Sequence, residues 1–233
     1  MTTTAIVALD VHTIERARAM VRTIGDRCAW YKVGLELFVA EGPPIVHWLR
    51  EEGKEVFLDL KLHDIPNTVR GAARAAAGLD VRLLTVQGVG GAAMLAAAVE
   101  GAGVQDARGC GVLAVTVLTS MTATDLSASW GRDVASIGDE VTRLATIARA
   151  AGTYGIVCSG LEAGAVRATH GDAIAVLVPG VRAVGGATHD QARVVTPEAA
   201  LRAGARYVVL GRMVTAAADP AEAFAAVQSE LDA

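Results

Sequence analysis

Eight short apolar runs, rich in β-branched residues and leucine, recur along the chain, and a stretch with helical spacing follows each of them. The predicted strands are residues 6–10, 31–36, 56–61, 83–87, 112–119, 155–159, 175–179 and 207–211. The predicted helices are residues 13–24, 43–52, 68–77, 92–101, 139–151, 162–169, 197–203 and 220–231. The repeated unit is a strand followed by a helix, which predicts an α/β protein.

Several of the predicted strands are apolar on both alternations, as is typical of parallel strands that are covered on both sides. An open, doubly wound sheet can carry the same repeat. Eight units in 233 residues favour closure into a (β/α)8 TIM barrel. No proline-rich or serine-rich linker divides the chain, so we expect residues 1–233 to form a single barrel domain.

Composition narrows the possible partners. The net charge of −4 argues against a surface that neutralises nucleic-acid phosphates. No apolar run reaches the roughly 18 residues that a membrane span needs, and no basic segment precedes the first apolar stretch, so we expect a cytoplasmic protein. Cys28, Cys110 and Cys158 have no paired spacing, and the five histidines share no metal-ligand spacing. Neither disulfides nor a metal site is predicted.

Polar residues lie where a barrel carries its chemistry, at the carboxyl ends of the strands and in the loops that follow. Asp10 is predicted to end the first strand, Thr119 the fifth, and Gly211 with Arg212 the eighth. Lys32 is predicted to lie within the second strand, and Asp59 and Lys61 to close the third. These positions meet at one mouth of the predicted barrel.

Asp59 and Lys61 are two residues apart on a strand, so their side chains should point to the same face and contact each other. A charge pair inside the apolar run 56–62 is costly to desolvate, which favours pairing with further charges. Lys32 and Asp64 are the natural additions. One charged residue at a strand end is more often part of a structural ion pair. The set of four favours a functional site.

A second group of residues late in the chain has the composition of an anion-binding site. It comprises Arg182, Gly185 with Gly186, Asp190 with Gln191, and Gly211 with Arg212. Loops after the seventh and eighth strands of such barrels often bind phosphate, and arginine supplies paired donors. Taken singly, the glycines are typical of a flexible turn and Arg182 of a solvated charge. Arg212 directly follows an apolar strand, which makes phosphate binding the better interpretation.

The segment at 57–68, Phe-Leu-Asp-Leu-Lys-Leu-His-Asp-Ile-Pro-Asn-Thr, resembles the signature of the orotidine 5'-phosphate decarboxylase family. The resemblance is closest to the bacterial form. It extends over nearly the whole chain and includes residues 8–10, 32–34, 115–121, 178–182, 190–191 and 210–212. It implies a (β/α)8 barrel that converts orotidine 5'-monophosphate to UMP and CO2 without a metal or organic cofactor.

The resemblance also implies the roles of the charged residues. Lys61 would donate a proton to C6 of the pyrimidine, and Asp59 would lie beside the departing carboxylate. Lys32 would be hydrogen-bonded within the charged set. Asp64 and Thr68 would reach across the interface of a homodimer, so that each site needs two chains.

The remaining implied contacts divide along the nucleotide. Asp10 and Lys32 would hold the ribose hydroxyls, Thr119 and Ser120 the pyrimidine edge, and Pro179 would line the pocket. The 5'-phosphate would be bound by Arg182, Gln191, Gly211 and Arg212. One departure is Gln87, where the family usually has histidine. Glutamine keeps hydrogen-bonding capacity but cannot become cationic. This difference puts in doubt an interaction that the histidine would make behind the residues that touch substrate.

Two other functions remain open. Related barrels that act on sugar phosphates through a magnesium-stabilised enediolate also contain Asp-x-Lys-x-x-Asp, with altered roles. A nucleotide-binding regulator could retain the barrel and lack catalysis. Thr119 with Ser120 and Asp190 with Gln191 favour the decarboxylase over the first alternative. The intact set of lysines and aspartates argues against the second.

Overall fold

Eight parallel strands close into a barrel in the computed structural model, which describes residues 3–103, 109–182 and 193–232. Each strand pairs with the next along the chain, and the eighth pairs with the first. The strands are β1 Thr4–Ala8, β2 Trp30–Gly34, β3 Glu55–Leu62, β4 Leu83–Gln87, β5 Gly111–Val115, β6 Gly155–Val157, β7 Ala175–Val178 and β8 Tyr207–Leu210. The predicted (β/α)8 barrel is confirmed, and the open sheet is wrong.

Helices follow the strands. They are α1 Ile14–Ile24, α2 Leu35–Glu41, α3 Pro43–Glu51, α4 Pro66–Ala77, α5 Gly91–Ala102, α6 Ala123–Trp130, α7 Ile137–Ala150, α8 Gly160–His170, α9 Pro197–Arg202, α10 Arg212–Thr215 and α11 Pro220–Asp232. All eight predicted helices are present, with ends that differ by a few residues. The short helices α2, α6 and α10 were not predicted.

Six of the eight predicted strands ran one to four residues too far at their carboxyl ends, and the third and fourth did not. The second was expected to reach Glu36, but β2 stops at Gly34 because α2 begins at the next residue. The fifth was expected to reach Thr119, but β5 stops at Val115. Asp10, Thr119 and Gly211 therefore lie in the turns that follow β1, β5 and β8 rather than at the strand ends. Apolar residues after the strands, Leu9 after β1 and Val117 with Leu118 after β5, extend the strand pattern beyond the observed ends.

Apolar side chains fill both faces of the strands, as expected for a covered parallel sheet. The interior group consists of Ile6, Ala8, Phe57, Leu83, Leu113, Val115, Val157, Ala175, Leu177, Tyr207 and Val209. The larger group packs the strands against the helices and includes Val7, Val33 and Leu58. The many alanines of the helices let them approach the barrel closely.

Aromatic residues pack together at the end of the barrel where the strands begin. The rings of Trp30 and Tyr207 have centroids 5.7 Å apart, and those of Tyr154 and Tyr207 are 6.5 Å apart. The hydroxyls of the two tyrosines are hydrogen-bonded at 2.9 Å, and the Arg206 guanidinium lies over both rings. The opposite end of the barrel remains open. Within the described ranges, no helix has the length and apolar character needed to cross a membrane.

Candidate active site

A cavity of about 800 Å³ opens at the carboxyl ends of the strands. Most of the residues predicted from the sequence to touch substrate line it: Asp10, Lys32, Asp59, Lys61, Thr119, Ser120, Pro179, Arg182, Gly211 and Arg212. Its floor is apolar and includes Phe57, Val115 and Leu177 from the barrel interior. Gln191 lies outside the described residues. The cavity combines an apolar base with charged walls, as small-molecule sites do.

Four charged residues of alternating sign form what we call the charged row, namely Asp10, Lys32, Asp59 and Lys61. The Lys61 ammonium Nζ lies 2.8 and 2.9 Å from the two carboxylate oxygens of Asp59. The Lys32 Nζ donates to Asp10 Oδ1 at 2.7 Å and lies 3.9 Å from Asp59 Oδ2. The predicted contact of Asp59 with Lys61, and the addition of Lys32, are confirmed. Each central charge therefore has an opposite charge beside it, which offsets its desolvation.

The backbone that presents Lys61 is irregular. Lys61 has a φ of 49°, and within the described residues Asp80 is the other non-glycine residue with positive φ. The pairing of β3 with β4 shifts register between Leu58 and Leu62. Non-glycine residues with a φ in this left-handed region are uncommon, and they cluster at functional sites. The strand is thus distorted at the proposed reacting lysine.

Thr85 of β4 lies beneath this distortion and is fully buried. Its hydroxyl accepts a hydrogen bond from the Lys61 backbone N–H at 2.8 Å and donates one to Asp59 Oδ1 at 2.9 Å. Sequence reasoning missed Thr85. The available signal was a polar residue between the apolar residues Leu84 and Val86 of β4.

Gly34, the last residue of β2, lies opposite Asp59 in the sheet register. A Cβ at this position would lie 2.8 Å from Lys32 Nζ and 3.3 Å from Asp10 Oδ1. Any side chain at residue 34 would therefore intrude on the ion pair. Gly34 matched the family pattern in the sequence, and the structure gives that match a steric reason.

Asp64 and Thr68 lie away from the cavity within a single chain. Both are exposed, and Asp64 Oδ1 accepts a hydrogen bond from the Ile65 N–H at 2.6 Å. Asp64 lines a neighbouring, open pocket with His63, Ile65, Pro66, Gly90 and Met94. The expectation that Asp64 joins the other charges is therefore not met inside one chain, because the turn after β3 carries it outward. Its role across a dimer interface stays a prediction.

The wall opposite the charged row comes from the loops after β5, β7 and β8. Thr119 is buried and Ser120 is exposed, and both lie in the turn after β5. Arg193 supports this turn, since it donates to the Leu118 carbonyl at 3.0 Å and to Glu162 Oε1 at 2.8 Å. Thus the ion pair of Arg193 with Glu162 of α8, in which each side chain is 10% exposed, holds the loop that carries the two hydroxyls.

The last part of the wall is formed where the chain enters α10. Arg182 is buried in the loop after β7, and its backbone N–H donates to the Val195 carbonyl at 2.9 Å. Gly211 precedes α10 and Arg212 is its first residue, with an exposed side chain. The two arginines predicted to bind phosphate therefore share one cavity.

Gln87 ends β4 and is partly buried, and it is absent from the described cavity lining. We expected residue 87 to lie behind the residues that touch substrate, and its absence from the described cavity lining agrees with that expectation. Within residues 3–103, 109–182 and 193–232, no three His, Cys, Asp or Glu side chains form a group that could hold a metal ion. The three cysteines are buried and form no disulfide bond in the described structure.

Comparison with known proteins agrees with this geometry. The model of the orotidine 5'-phosphate decarboxylase / HUMPS family matches residues 3–227. The chain is 51% identical over 227 residues to the orotidine 5'-phosphate decarboxylase of Anaeromyxobacter dehalogenans, covering 96% of each chain. It is 48% identical to the protein of the same name from Thermobifida fusca, covering 97% of this chain and 94% of that protein.

A solved structure extends the likeness to three dimensions. The crystal structure of orotidine 5'-phosphate decarboxylase from Lactobacillus acidophilus superposes with a TM-score of 0.88 at 33% identity, covering 99% of this chain and 100% of that one. The barrel, the charged row and the family match over residues 3–227 agree. This chain therefore belongs to the orotidine 5'-phosphate decarboxylase / HUMPS family.

Proposed function

We propose that the chain decarboxylates orotidine 5'-monophosphate to UMP and CO2, a step of pyrimidine biosynthesis, without a metal or organic cofactor. The observation that carries the proposal is the charged row, in which Asp59 holds the Lys61 ammonium in the wall of a nucleotide-sized cavity. The names of the relatives support the same reaction.

The chemistry explains why an ammonium is needed. When the bond from C6 to the carboxylate breaks, its electron pair stays on C6 in the plane of the ring, where no carbonyl can delocalise it. A cation fixed beside C6 stabilises this charge as it develops. The Lys61 ammonium then transfers a proton to C6, and the resulting amine takes up a proton from solvent.

Asp59 fixes the position of that ammonium. Both of its oxygens contact Lys61 Nζ, and the Asp59 side chain is only 14% exposed. A cation that is already oriented needs little reorganisation in the transition state, which is the source of electrostatic catalysis.

The remaining cavity residues bind the rest of the nucleotide in the proposal. Asp10 and Lys32, paired at 2.7 Å, hold the ribose hydroxyls. Thr119 and Ser120 contact the pyrimidine edge, with Pro179 against the ring. Arg182, Gln191, Gly211 and Arg212 bind the 5'-phosphate. Binding energy from the phosphate end then helps to order the reacting end.

We infer further that the enzyme is a homodimer in which Asp64 and Thr68 complete the site of the other chain. Both residues are exposed in one chain, and the adjacent Ile65 is 67% exposed although it is apolar. Exposed apolar residues beside an open pocket are typical of an interaction surface.

We also propose that the protein is cytoplasmic. The relatives are named as enzymes of nucleotide synthesis, which supports this location.

The decisive experiment is a spectrophotometric assay of orotidine 5'-monophosphate in buffer treated with EDTA. We expect turnover that survives exhaustive metal removal, and complete loss of turnover in Lys61→Ala. Lys54→Ala is the matched control, since Lys54 lies just before the same strand and bonds to the Gly25 carbonyl and Asp26, away from the cavity. It should lose stability and keep turnover. Activity that requires magnesium, or UMP binding without decarboxylation, would refute the proposal.

The dimer is tested by mixing two inactive variants. Lys61→Ala lacks its own ammonium, and Asp64→Asn lacks the carboxylate lent to its partner. After joint unfolding and refolding, mixed dimers contain one site with both groups intact. We expect about a quarter of wild-type activity to return, since half of the dimers are mixed and each has one good site of two. A mixture as inactive as its parents would mean that Asp64 acts within its own chain, and an active Asp64→Asn parent would mean that Asp64 takes no part in the site.

A further inference from the structure

We infer that Thr85 is a positioning residue for the reaction, because its hydroxyl fixes the Asp59 carboxylate and the Lys61 backbone at the same time. The inference rests on the proposed function, since it assigns Lys61 and Asp59 their chemical roles. Thr85 does not line the cavity in the described structure and therefore acts through these two neighbours.

The hydrogen bonds of the Thr85 hydroxyl leave it little freedom. A threonine hydroxyl has one proton to donate, and here it goes to Asp59 Oδ1 at 2.9 Å. The same oxygen accepts the Lys61 backbone N–H at 2.8 Å. Because the residue is fully buried, water does not compete for either bond. The β-branched side chain is also stiff at χ1, so the hydroxyl is held in one direction.

The bond to the backbone explains how the strand can be distorted at Lys61. In a regular parallel pair, the N–H of such a residue bonds to the neighbouring strand. Here the register shifts between Leu58 and Leu62, and Lys61 takes a φ of 49°. A buried N–H left without a partner is costly, so the distortion needs another acceptor. The Thr85 hydroxyl supplies that acceptor.

The bond to Asp59 explains how the carboxylate keeps its orientation. Asp59 Oδ1 accepts from Thr85 and from the Lys61 ammonium, while Oδ2 faces the ammonium and, at 3.9 Å, Lys32. Without the Thr85 bond, the carboxylate could rotate about its side-chain torsion and carry the ammonium with it. One buried hydroxyl therefore sets both ends of the Asp59–Lys61 pair.

Substitutions at residue 85 separate this role from simple packing. Thr85→Val keeps the shape and removes the hydroxyl, whereas Thr85→Ser keeps the hydroxyl. We expect Thr85→Val to lower kcat by about 10- to 100-fold, as displacement of a reacting group by a fraction of an ångström to 1 Å does. KM should change by less than about 3-fold, because the ribose and phosphate contacts remain. Thr85→Ser should keep kcat within about 3-fold.

Thr116→Val is the matched control. Thr116 is also a buried threonine, and its hydroxyl donates to the Val157 carbonyl at 2.8 Å, away from Asp59 and Lys61. It should lower the melting temperature and leave kcat unchanged. If Thr85→Val does not fold, Thr85→Ala replaces it, since it places no apolar branch against the carboxylate.

The outcomes distinguish this inference from the proposed function. A wild-type protein that does not decarboxylate orotidine 5'-monophosphate would refute the proposed function, whatever the variants at residue 85 do. Active wild type with unchanged kcat in Thr85→Val, or equal losses in Thr85→Val and Thr85→Ser, would overturn the role of the hydroxyl. A crystal structure of Thr85→Val gives a readout independent of activity: we expect a displaced Asp59–Lys61 pair, and an unmoved pair would refute the positioning.

Discussion

Replacing Gly34 by alanine tests how tightly the position of Lys32 is constrained. The added Cβ would lie 2.8 Å from the ammonium, about 0.6 Å inside the 3.4 Å at which ordinary contact begins. The backbone at Gly34 has a φ of −91°, which alanine adopts without strain. The ammonium is the end of a flexible side chain, so the barrel can stay intact while Lys32 moves.

The magnitude follows from the ion pair. Lengthening the 2.7 Å contact of Lys32 with Asp10 by about 0.6 Å removes about 1 kcal/mol of attraction at an effective dielectric constant near 20. Lys32 also lies 3.9 Å from Asp59, which holds the reacting ammonium, so a shift of this size beside the reacting centre should lower the rate by about 10- to 100-fold. We therefore expect kcat/KM of Gly34→Ala to fall by at least about 10-fold, with an unfolding free energy within about 1 kcal/mol of wild type.

The assay combines steady-state kinetics on orotidine 5'-monophosphate with thermal unfolding. Gly164→Ala is the matched control, because Gly164 lies within α8 and a Cβ there meets nothing within 4 Å. It should be slightly more stable than wild type and equally active. Unchanged kcat/KM in Gly34→Ala, with a crystal structure that shows Lys32 displaced, would refute the claim that its position matters.

Three further predictions concern phosphate binding, the stability of the fold at low pH and the reactivity of the cysteine thiols. Arg212→Ala should raise KM for the nucleotide by at least about 10-fold with a smaller effect on kcat, and unchanged kinetics would remove Arg212 from the phosphate site. Burial alone would raise the pKa of Glu140, but hydrogen bonds from two arginines lower it below its ordinary 4.5. Its ionised form therefore stabilises the fold at pH 7, and this contribution is lost as the pH falls through the lowered pKa. Glu140→Gln should cost about 1–2 kcal/mol in urea unfolding at pH 7 and less at pH 4, whereas equal costs at both would contradict the ion pairs. Burial raises the pKa of Cys28 to about 11 and of Cys110 to about 12, and it also raises the pKa of Cys158. All three thiols should resist a disulfide reagent at pH 8 in the folded protein and react in guanidinium, and fast labelling of native protein would contradict their burial.

The sequence was sufficient to predict the barrel because its signals are local and repeated. Each strand is a short apolar run, and each run is followed by a helix. It was less informative about α2 and α10, which contain seven and four residues and are too short for helical spacing to show. The helix α6 did have a local signal, since Thr122 and Asp125 form a capping box at its start. Reading that pair would have predicted a helix that begins after Thr122.

The sequence was sufficient to predict which residues form the charged row, but not the backbone conformation and contacts that position them. The spacing of Asp59 and Lys61 correctly predicted their contact. It assumed a regular strand, yet Lys61 is left-handed and the strand shifts register beside it. No local pattern reports this, because the acceptor that permits it belongs to Thr85, 24 residues later in the chain. The steric need for Gly34 is equally non-local, since it depends on where the Lys32 side chain lies.

These non-local features share one physical purpose. An ammonium stabilises a developing carbanion most when it is already in place, and a lysine side chain has four torsions that oppose such order. Asp59 restrains the end of the Lys61 side chain, Thr85 restrains both Asp59 and the Lys61 backbone, and Gly34 leaves the space that Lys32 needs to complete the row. Each is supplied by a different strand among β2, β3 and β4, so only the closed sheet brings them together. The order of the reacting group is therefore a property of the barrel, and single changes at Thr85 or Gly34, outside the described cavity lining, should lower the rate although neither residue contacts substrate.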